Sequence, residues 1–399
     1  MLKRLASDTA VYGVSSILGR LVNYLLIPLH TGLFSPESYG IVAVLYAWAA
    51  ILNILYTYGM ETTYFRFVGK EGVEEKALFD SGFSSLLFTS LLFSSLIIAN
   101  ASPIAAYLGY PGSEKYVIWF AILIAVDNIA VLPFARLRHE QKALRFASIK
   151  LLNIGLNVSL NAFFLLVCPA IHSGEWLSFL KPLIDSFYNP ELGLGYAFFS
   201  NLLASLALLP MLLPTYLDYR PRIDWQLLGR VYKYTYPLIF AGFFYTVNEV
   251  LDRILLQRWL PEGFYSGLDA QGAVGVYGAC YKLSIFISLA VQAYKYAAEP
   301  FFFSQKEKSP KLLSTSMTYF VLALLLMFMG VSLNVEWIGH ILVRQEAYWQ
   351  GLKVVPILLM ANVFLGIYYN LSFWYKLTDK TYYGAFISGG GAIITLTAN

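Results

Sequence analysis

The stretch that decides the fold is residues 116–136, YVIWFAILIAVDNIAVLPFAR. It is about as long as a helix must be to cross the hydrocarbon core of a bilayer, which takes ~20 mainly apolar residues. Glu114 precedes it and Arg138 follows it, while Asp127 lies close to its centre. The stretch therefore predicts a transmembrane helix that carries one carboxyl group into the membrane.

The whole chain has the composition of such helices. Of its 399 residues, 58% are hydrophobic and 13% are charged, whereas soluble domains carry about 25% charged residues. The mean hydropathy is +0.60. This composition excludes a disordered chain, a collagen and a disulfide scaffold, and it argues against a soluble enzyme because too little charge is available to cover a surface.

Ten further segments share this pattern, so we predict eleven transmembrane spans. Their apolar runs carry polar residues at helical spacing, which favours a helix bundle over a barrel of alternating strands. The first span is too long for the apolar core of a signal peptide and is followed by no cleavage site, so we expect it to remain. The predicted spans lie at about 9–33, 39–64, 78–101, 116–136, 146–168, 192–214, 233–257, 275–302, 312–334, 351–374 and 381–399.

The charge of the loops predicts the orientation. With a cytoplasmic N-terminus, eighteen Lys and Arg residues fall in cytoplasmic loops, and only Lys115, Lys181, Arg258 and Arg344 fall in the opposite loops. Membrane proteins concentrate positive residues on the cytoplasmic side. We therefore predict a multi-pass protein with its N-terminus in the cytoplasm. Its longest outer loop, residues 169–191, has room for a short interfacial helix.

Parts of the chain resemble one another at an offset of 235 residues, which aligns Gly40 with Gly275 and Tyr46 with Tyr281. A similar offset relates the fifth span to the eleventh. Two repeats of six spans share one orientation and enclose a central cavity in many transporters. We therefore predict an all-α membrane helix bundle of two pseudo-symmetric six-helix lobes, an N-terminal lobe at 1–218 and a C-terminal lobe at 219–399.

The sequence ends within the eleventh span, at Asn399. Because the second lobe should hold six spans, we expect the chain as given to be truncated in that lobe. The alternative is a protein that ends there with an unpaired last helix.

Polar side chains inside the spans are the candidate functional residues, because a charged group in the bilayer usually faces a cavity or a partner. Arg20 is ~16 Å from either end of the first span at 1.5 Å per residue, too deep to reach the membrane surface easily. Its alternative role is a contact between helices, and that of Lys282 is anchoring at the membrane surface. The residues predicted to line a substrate cavity are Arg20, Asn23, Asn53, Lys282, Gln292, Lys295 and Asn362.

Four carboxyl groups are candidates for coupling transport to an ion gradient: Glu61, Asp127, Glu249 and Asp252. The alternative for Glu61 is anchoring at the cytoplasmic interface. The alternative for Glu249 is a structural ion pair with Arg253, which lies four residues later on the same helix face.

No motif of bond-making chemistry is present. The sequence lacks GxxxxGK[ST], GxSxG and HExxH, and its four histidines and two cysteines have no metal-site spacing. We therefore expect a transporter rather than an enzyme, with no cofactor except a coupling H⁺ or Na⁺ and with no nucleic-acid partner.

Three stretches resemble a known family. They are YGVSSILGRLVNYLLIPLHTGLFSPESYGIVAVL at 12–45, YPLIFAGFFYTVNEVLDRILL at 236–256 and VGVYGACYKLSIFISLAVQAYKYAAEPFFF at 274–303. They are similar to the polysaccharide transporter branch of the multidrug/oligosaccharidyl-lipid/polysaccharide (MOP) flippase superfamily, the Wzx-like oligosaccharide flippases, which are related to MurJ-type lipid II flippases. The most recognisable pieces are Tyr39-Gly40, Asp252-Arg253 and Ala298-Glu299-Pro300-Phe301.

The resemblance implies alternating access of a cationic central cavity between two six-helix lobes. It implies transport of an undecaprenyl-diphosphate-linked oligosaccharide across the bacterial inner membrane, coupled to a proton or sodium gradient. Arg20 stands where family members often carry a cavity arginine. The partners implied are the lipid-linked oligosaccharide, membrane lipid and the polysaccharide polymerase machinery.

Two other functions remain as alternatives. A MATE-like cation or drug antiporter would need an acidic cavity, whereas the charges inside these spans are of both signs. A membrane-bound polymerase or ligase would need a large outer catalytic loop, and the loop at 169–191 is small and carries no paired catalytic groups.

Overall fold

The computed structural model describes most of the chain. The described residues are 13, 15, 17–70, 72–261, 263–265, 267–304, 310–377 and 382–398. Within them the chain forms helices and turns, with one isolated two-residue bridge between Tyr265 and Leu268. The predicted all-α fold is confirmed.

Fifteen α-helices follow one another along the described residues. They are α1 (Ile17–Leu33), α2 (Pro36–Phe67), α3 (Glu75–Ala99), α4 (Ala101–Tyr107), α5 (Glu114–His139), α6 (Ala143–His172), α7 (Lys181–Asp185), α8 (Gly195–Tyr216), α9 (Trp225–Trp259), α10 (Ala270–Leu283), α11 (Ile285–Ser304), α12 (Pro310–Leu333), α13 (Val335–Leu342), α14 (Val355–Leu377) and α15 (Tyr382–Ala398). Short 3₁₀ turns lie at Ser178–Leu180, Pro190–Leu192 and Glu346–Val354.

Two of these helices are interrupted. In α2 the backbone turns left-handed at Tyr58 and Gly59, with φ of 33° and 72°. A bulky residue seldom adopts a positive φ, so this break is a strained point of the helix. In α6 the residues Phe163–Val167 form one π-helical turn.

Seven helices in the described part are long and apolar enough to cross a membrane: α2, α3, α5, α6, α8, α12 and the helix Glu346–Ser372, which includes most of α14. An eighth span is formed if α10 and α11, bent by 44°, count as one. The chain is therefore a multi-pass membrane protein. The described residues of the remaining predicted spans are also in helices or their turns, but α1 and α15 are short, and α9 carries Glu249, Asp252 and Arg253 in its second half. The count of eleven stays a prediction.

The chain divides into two compact units. Unit one contains the described residues within Met1–Asn23 together with Ala49–Phe243, and unit two contains Tyr24–Trp48 and Phe244–Asn399. The predicted lobes were defined by a repeat in the sequence, whereas these units are defined by packing. The lobe boundary between residues 218 and 219 therefore stays a prediction.

Helix α5 is the core of unit one. It packs against α3, α8 and the second half of α2, and α8 also packs against α6. Phe79 and Phe83 stack on each other and lie in one buried cluster with Met60, Tyr64 and Leu132. The opening stretch of apolar sequence is thus enclosed by other helices, which explains why its residues are apolar on every face.

One end of unit one is held by an ion network around Arg136. The Arg136 guanidinium donates to both carboxylate oxygens of Asp218, at 2.7 and 3.0 Å, and to the carbonyl oxygen of Thr215 at 2.9 Å. It also pairs with Glu140 at 3.0 Å. Because Arg136 presents a planar fork of donors, it can bind this carboxylate in two places. The network ties the loop after α8 to the end of α5.

In unit two, α14 packs against α11 and α12, and α10 packs against the 3₁₀ turn at Glu346–Val354. The beginning of α10 also crosses the beginning of α2 in backbone contact. A Cβ added at Gly275 would overlap the carbonyl oxygen of Pro36, and a Cβ at Gly40 would overlap that of Gln271. Only glycine fits at such a crossing.

This glycine crossing is reciprocal. The offset of 235 residues that aligns Gly40 with Gly275 also aligns Pro36 with Gln271. Gly40 contacts Gln271, and Gly275 contacts Pro36, so the two contacts are equivalent to each other under this offset. Reciprocal pairs of this kind are the contacts that a two-fold axis generates.

Candidate functional site

The bend between α10 and α11 brings several predicted cavity residues into one region of unit two. The helix pair bends at Ser284, whose Oγ donates to the carbonyl oxygen of Tyr281 at 2.7 Å. The Asn362 amide donates to Ser284 Oγ at 3.2 Å and to the carbonyl oxygen of Leu358 at 2.9 Å. Within a membrane a broken helix needs such side-chain partners, because lipid offers none. Asn362 thus supports the bend.

Lys282 lies just before this bend. Its Nζ donates to the hydroxyl oxygen of Tyr39 at 2.6 Å and lies 5.1 Å from the centre of the same ring. Tyr39 is buried and packs edge-on against Tyr348. The ammonium group is therefore positioned by a phenol, and among the described residues no carboxylate pairs with it.

Lys295 lies on α11, beyond the bend, and has the same kind of partner. Its Nζ stands 4.8 Å from the ring centre of Tyr369, and the Tyr369 hydroxyl is 3.1 Å from that of Tyr245. A cation over an aromatic face is held without losing its charge. Gln292, one turn earlier, has a buried amide oxygen that accepts no hydrogen bond within the described chain.

The two carboxylates of α9 are also held by tyrosines. The Tyr277 hydroxyl donates to Asp252 Oδ2 at 2.5 Å, and the Tyr281 hydroxyl donates to Glu249 Oε2 at 3.3 Å. The Arg253 guanidinium lies over the Tyr281 ring at 4.2 Å. Tyr277 and Tyr281 are one turn apart on α10, so one helix face serves both acids.

The alternative of a structural Glu249–Arg253 ion pair is wrong for the described structure. No oxygen of Glu249 lies within ion-pair distance of Arg253 there, because each side chain contacts Tyr281 instead.

The carboxylates of unit one have different partners. Glu61 forms an ion pair with Arg138. Asp127 accepts a hydrogen bond from Ser205, and the charge of Lys150 interacts with it at longer range. Both acids predicted in this unit are therefore opposed by a basic residue on another helix.

Three of the predicted cavity residues lie in unit one, on α1 and α2. Arg20, Asn23 and Asn53 are all exposed. Within the described chain no ion pair of Arg20 is formed. Their assignment to a substrate cavity stays a prediction.

Unit one also contains a cavity of about 650 Å³ between α2, α3 and α9. Its walls are mainly apolar. Beside it, the hydroxyl of Ser85 is hydrogen-bonded to that of Tyr58 and, at 2.6 Å, to that of Tyr232. The lining residues are Leu52, Leu55, Tyr56, Tyr58, Thr89, Phe93, Leu96, Ile97, Tyr232, Thr235, Tyr236 and Ile239.

Sequence reasoning did not single out Tyr39, Tyr277 or Ser284 as partners of the site. A tyrosine in a membrane helix is usually assigned to packing or to the interface. The one available signal was the spacing of Tyr277 and Tyr281, which places two hydroxyls on the same side of α10.

Residues 31–190 match the model of the family described as polysaccharide biosynthesis protein. An inward-facing multidrug resistance transporter of the MATE family, in the MOP superfamily, superimposes with a TM-score of 0.63 at 14% identity, covering 98% of this chain and 87% of that one. The lipid II flippase MurJ, in an inward closed conformation, gives a TM-score of 0.67 at 11% identity, covering 97% and 79%. The chain is thus similar to transporters of the MOP superfamily over nearly its whole length.

A third structure, that of the MATE multidrug transporter DinF-BH, gives a TM-score of 0.56 at 14% identity and covers 97% of this chain and 85% of that chain. At these identities the likeness shows the fold. No curated protein matches in sequence. The predicted resemblance to the MOP superfamily is confirmed at the level of the fold.

Proposed function

We propose that this protein is a MOP-type flippase for an undecaprenyl-diphosphate-linked oligosaccharide in the bacterial inner membrane. The proposal includes alternating access and an ion gradient as the driving force. The observation that carries it is the state of Lys282 and Lys295: both are held by tyrosines, and neither is neutralised by a carboxylate of the described chain.

Uncompensated cations suit an anionic substrate. Taking a diphosphate out of water is costly unless fixed positive groups replace its hydration. Charge-assisted hydrogen bonds from Lys282 and Lys295 to phosphate oxygens are the stronger kind of hydrogen bond. A cationic drug would be repelled by the same two groups.

The polar groups near these lysines suit a glycan. The buried amide oxygen of Gln292 lacks a donor within the described residues, and Asn362 lies one helix away at the bend. Sugar hydroxyls can donate to one and accept from the other. The family match over residues 31–190 also favours a polysaccharide precursor over a drug.

For the coupling ion we favour Glu249 and Asp252 among the four predicted carboxylates. Their hydrogen-bond partners are tyrosine hydroxyls, and within the described chain neither forms an ion pair with the nearby Arg253, so a negative charge remains for H⁺ or Na⁺ to neutralise. Glu61, by contrast, is paired with Arg138, and Asp127 interacts with Lys150 at longer range. An ion shifts the balance of two conformations only by binding them with different affinity.

The test is transfer of labelled lipid-linked oligosaccharide across proteoliposome membranes. A lost charge-assisted hydrogen bond is worth about 1.5–3 kcal/mol, or roughly tenfold and upward in affinity. We therefore expect Lys282→Ala and Lys295→Ala to reduce transfer at least tenfold. Lys353→Ala, which removes an exposed cation of the same unit, is the matched control and should leave transfer unchanged.

The second candidate is a MATE-like cation antiporter, which the fold of two solved transporters and the acids on α9 favour. Uptake of a cationic dye into the same proteoliposomes separates the two. Dye transport that needs Asp252, together with no transfer of glycolipid by the parent protein, would overturn the flippase proposal.

A further inference from the structure

The loop between α6 and α8 carries an exposed apolar stripe. The 3₁₀ turn Ser178–Leu180 and the short helix α7 occupy its middle. Four large side chains in it are exposed: Trp176 by 53%, Phe179 by 75%, Leu183 by 60% and Phe187 by 50%. Phe179 and Leu183, four residues apart in the continuous helical stretch 178–185, lie on one side of it, and Trp176 and Phe187 flank its two ends.

The rest of this segment is fixed to the protein. Ile184 is 4% exposed and packs inward. His172 Nδ1 lies 2.6 Å from Asp185 Oδ1, and Lys181 Nζ lies 3.3 Å from Asp185 Oδ2. Lys181 also donates to the carbonyl oxygen of His172, at the end of α6. These contacts form a clamp, so the apolar stripe has a defined orientation.

The charge state of the clamp agrees with this geometry. The hydrogen bond to His172, followed by the contact with Lys181, holds the pKa of Asp185 below its ordinary value. The carboxylate is therefore ionised at near-neutral pH.

The stripe is continuous with the membrane-spanning surface. Both α6, which ends at His172, and α8, which begins at Gly195, are membrane-span candidates. The stripe therefore lies where these two helices leave the bilayer. Exposed tryptophan and phenylalanine side chains in and beside a short helix are typical of segments that lie in the lipid interface.

We propose that residues 176–187 form an interfacial anchor whose apolar stripe inserts into the lipid surface. The occupant of the stripe is lipid, and the clamp of His172, Lys181 and Asp185 sets the angle at which it enters. The anchor fixes the level at which α6 and α8 leave the membrane. It is independent of which substrate the protein carries.

Site-directed spin labelling tests the anchor. Cys168 and Cys280 are both fully buried, so a thiol-directed label reacts with an introduced cysteine. The variants are Phe179→Cys and Leu183→Cys on the stripe, with Ser178→Cys as the control, because Ser178 is exposed but lies off the stripe. Each is reconstituted into vesicles of phosphatidylethanolamine and phosphatidylglycerol, and collision rates with oxygen and with a water-soluble nickel chelate are measured.

We expect labels at positions 179 and 183 to collide with oxygen more than with nickel, and the label at 178 to show the reverse. Nickel-accessible labels at all three positions would overturn the proposal. They would indicate that the stripe is exposed to water as a binding surface for another protein. A further variant, Asp185→Ala in the Phe179→Cys protein, should raise the mobility of the label if the clamp orients the segment. Circular dichroism confirms that each variant is folded.

Discussion

Acidic residues inside the membrane differ in this protein according to what opposes them. Asp127 and Glu61 face basic residues on neighbouring helices, whereas Asp252 and Glu249 face tyrosine hydroxyls. A basic residue stabilises the charged form of the acid and offsets its negative charge, which favours a structural role. A hydroxyl donates a hydrogen bond to the acid but does not offset its charge. The partners of these four acidic residues thus separate the candidates for a structural role from the candidates for a functional one.

This division predicts different outcomes for two similar substitutions. Asp127→Asn removes the carboxylate whose charge interacts at longer range with that of Lys150, which we expect to cost on the order of 1 kcal/mol. We expect it to lower the thermal stability of the purified protein, and Asp127→Leu combined with Lys150→Met to recover much of that loss. Asp252→Asn should leave stability nearly unchanged but abolish the dependence of transport on the ion gradient. Gradient dependence that survives in Asp252→Asn and is lost in Asp127→Asn would reverse the assignment.

A pH effect follows from Asp218, which lies in the loop after α8. The Arg136 hydrogen bonds hold the pKa of this carboxyl below its ordinary value of about 3.9. Its contribution to stability is therefore complete above that ordinary value and is lost as the pH falls through the lower pKa of the folded state.

We expect the unfolding temperature to fall in acid below about pH 4, and to fall less steeply there in Asp218→Asn. The variant should already be less stable at neutral pH, because it cannot form the charged pair. Thermal unfolding in detergent at a series of pH values measures both effects. Parallel curves for the two proteins would show that this carboxylate contributes nothing.

At the scale of the helix, glycine has two separate uses. Gly40 and Gly275 let α2 and α10 touch through their backbones, whereas Gly330 in α12 has open space where a Cβ would stand. Glycine is therefore required at the crossing of α2 and α10, but at position 330 in α12 it can be replaced.

Alanine substitution separates these uses. Gly275→Ala must push α2 and α10 apart, which we expect to cost roughly 1–3 kcal/mol. Gly330→Ala should be neutral or stabilise its helix by up to about 1 kcal/mol, since alanine is the better helix former. Thermal unfolding compares the two, and equal effects would show that the crossing is not tight in solution.

The length of the apolar segments was enough to predict most of the helices. A transmembrane helix must be long and apolar whichever helices it packs against. The stretch at 116–136 became α5 with its ends displaced by only a few residues. The partners within the site were beyond sequence analysis for a physical reason. Glu61 and Arg138 pair across 77 residues, and Lys282 and Tyr39 across 243. Such pairs depend on which helices become neighbours, and helical spacing along one segment carries no information about that.

For the whole molecule, the decisive feature is that three helices belong to both units. The chain passes between them after Asn23 in α1, after Trp48 in α2 and after Phe243 in α9. Features that permit bending lie close to two of these passages, a turn at Leu25 in α1 and Pro237 inside the continuous helix α9, while the left-handed pair of α2 begins ten residues beyond Trp48. Proline removes a backbone hydrogen bond and permits a helix to bend.

If transport requires the units to rearrange, these positions are where the connecting helices bend. We expect Pro237→Ala to slow transfer of the lipid-linked substrate several-fold while its binding affinity stays unchanged, because the substitution affects a conformational step. Pro214→Ala in α8, a helix that lies within unit one alone, is the control and should transport normally. A change in affinity instead of rate would assign Pro237 to binding.

The crossing of α2 and α10 has one more consequence. Two glycine Cα atoms each carry hydrogens that can point at the facing carbonyl oxygens, so the contact can be held by weak Cα–H···O bonds. No side chain has to find a rotamer or lose entropy when the two backbones meet. Separating and re-forming such a backbone contact therefore costs little conformational entropy of side chains.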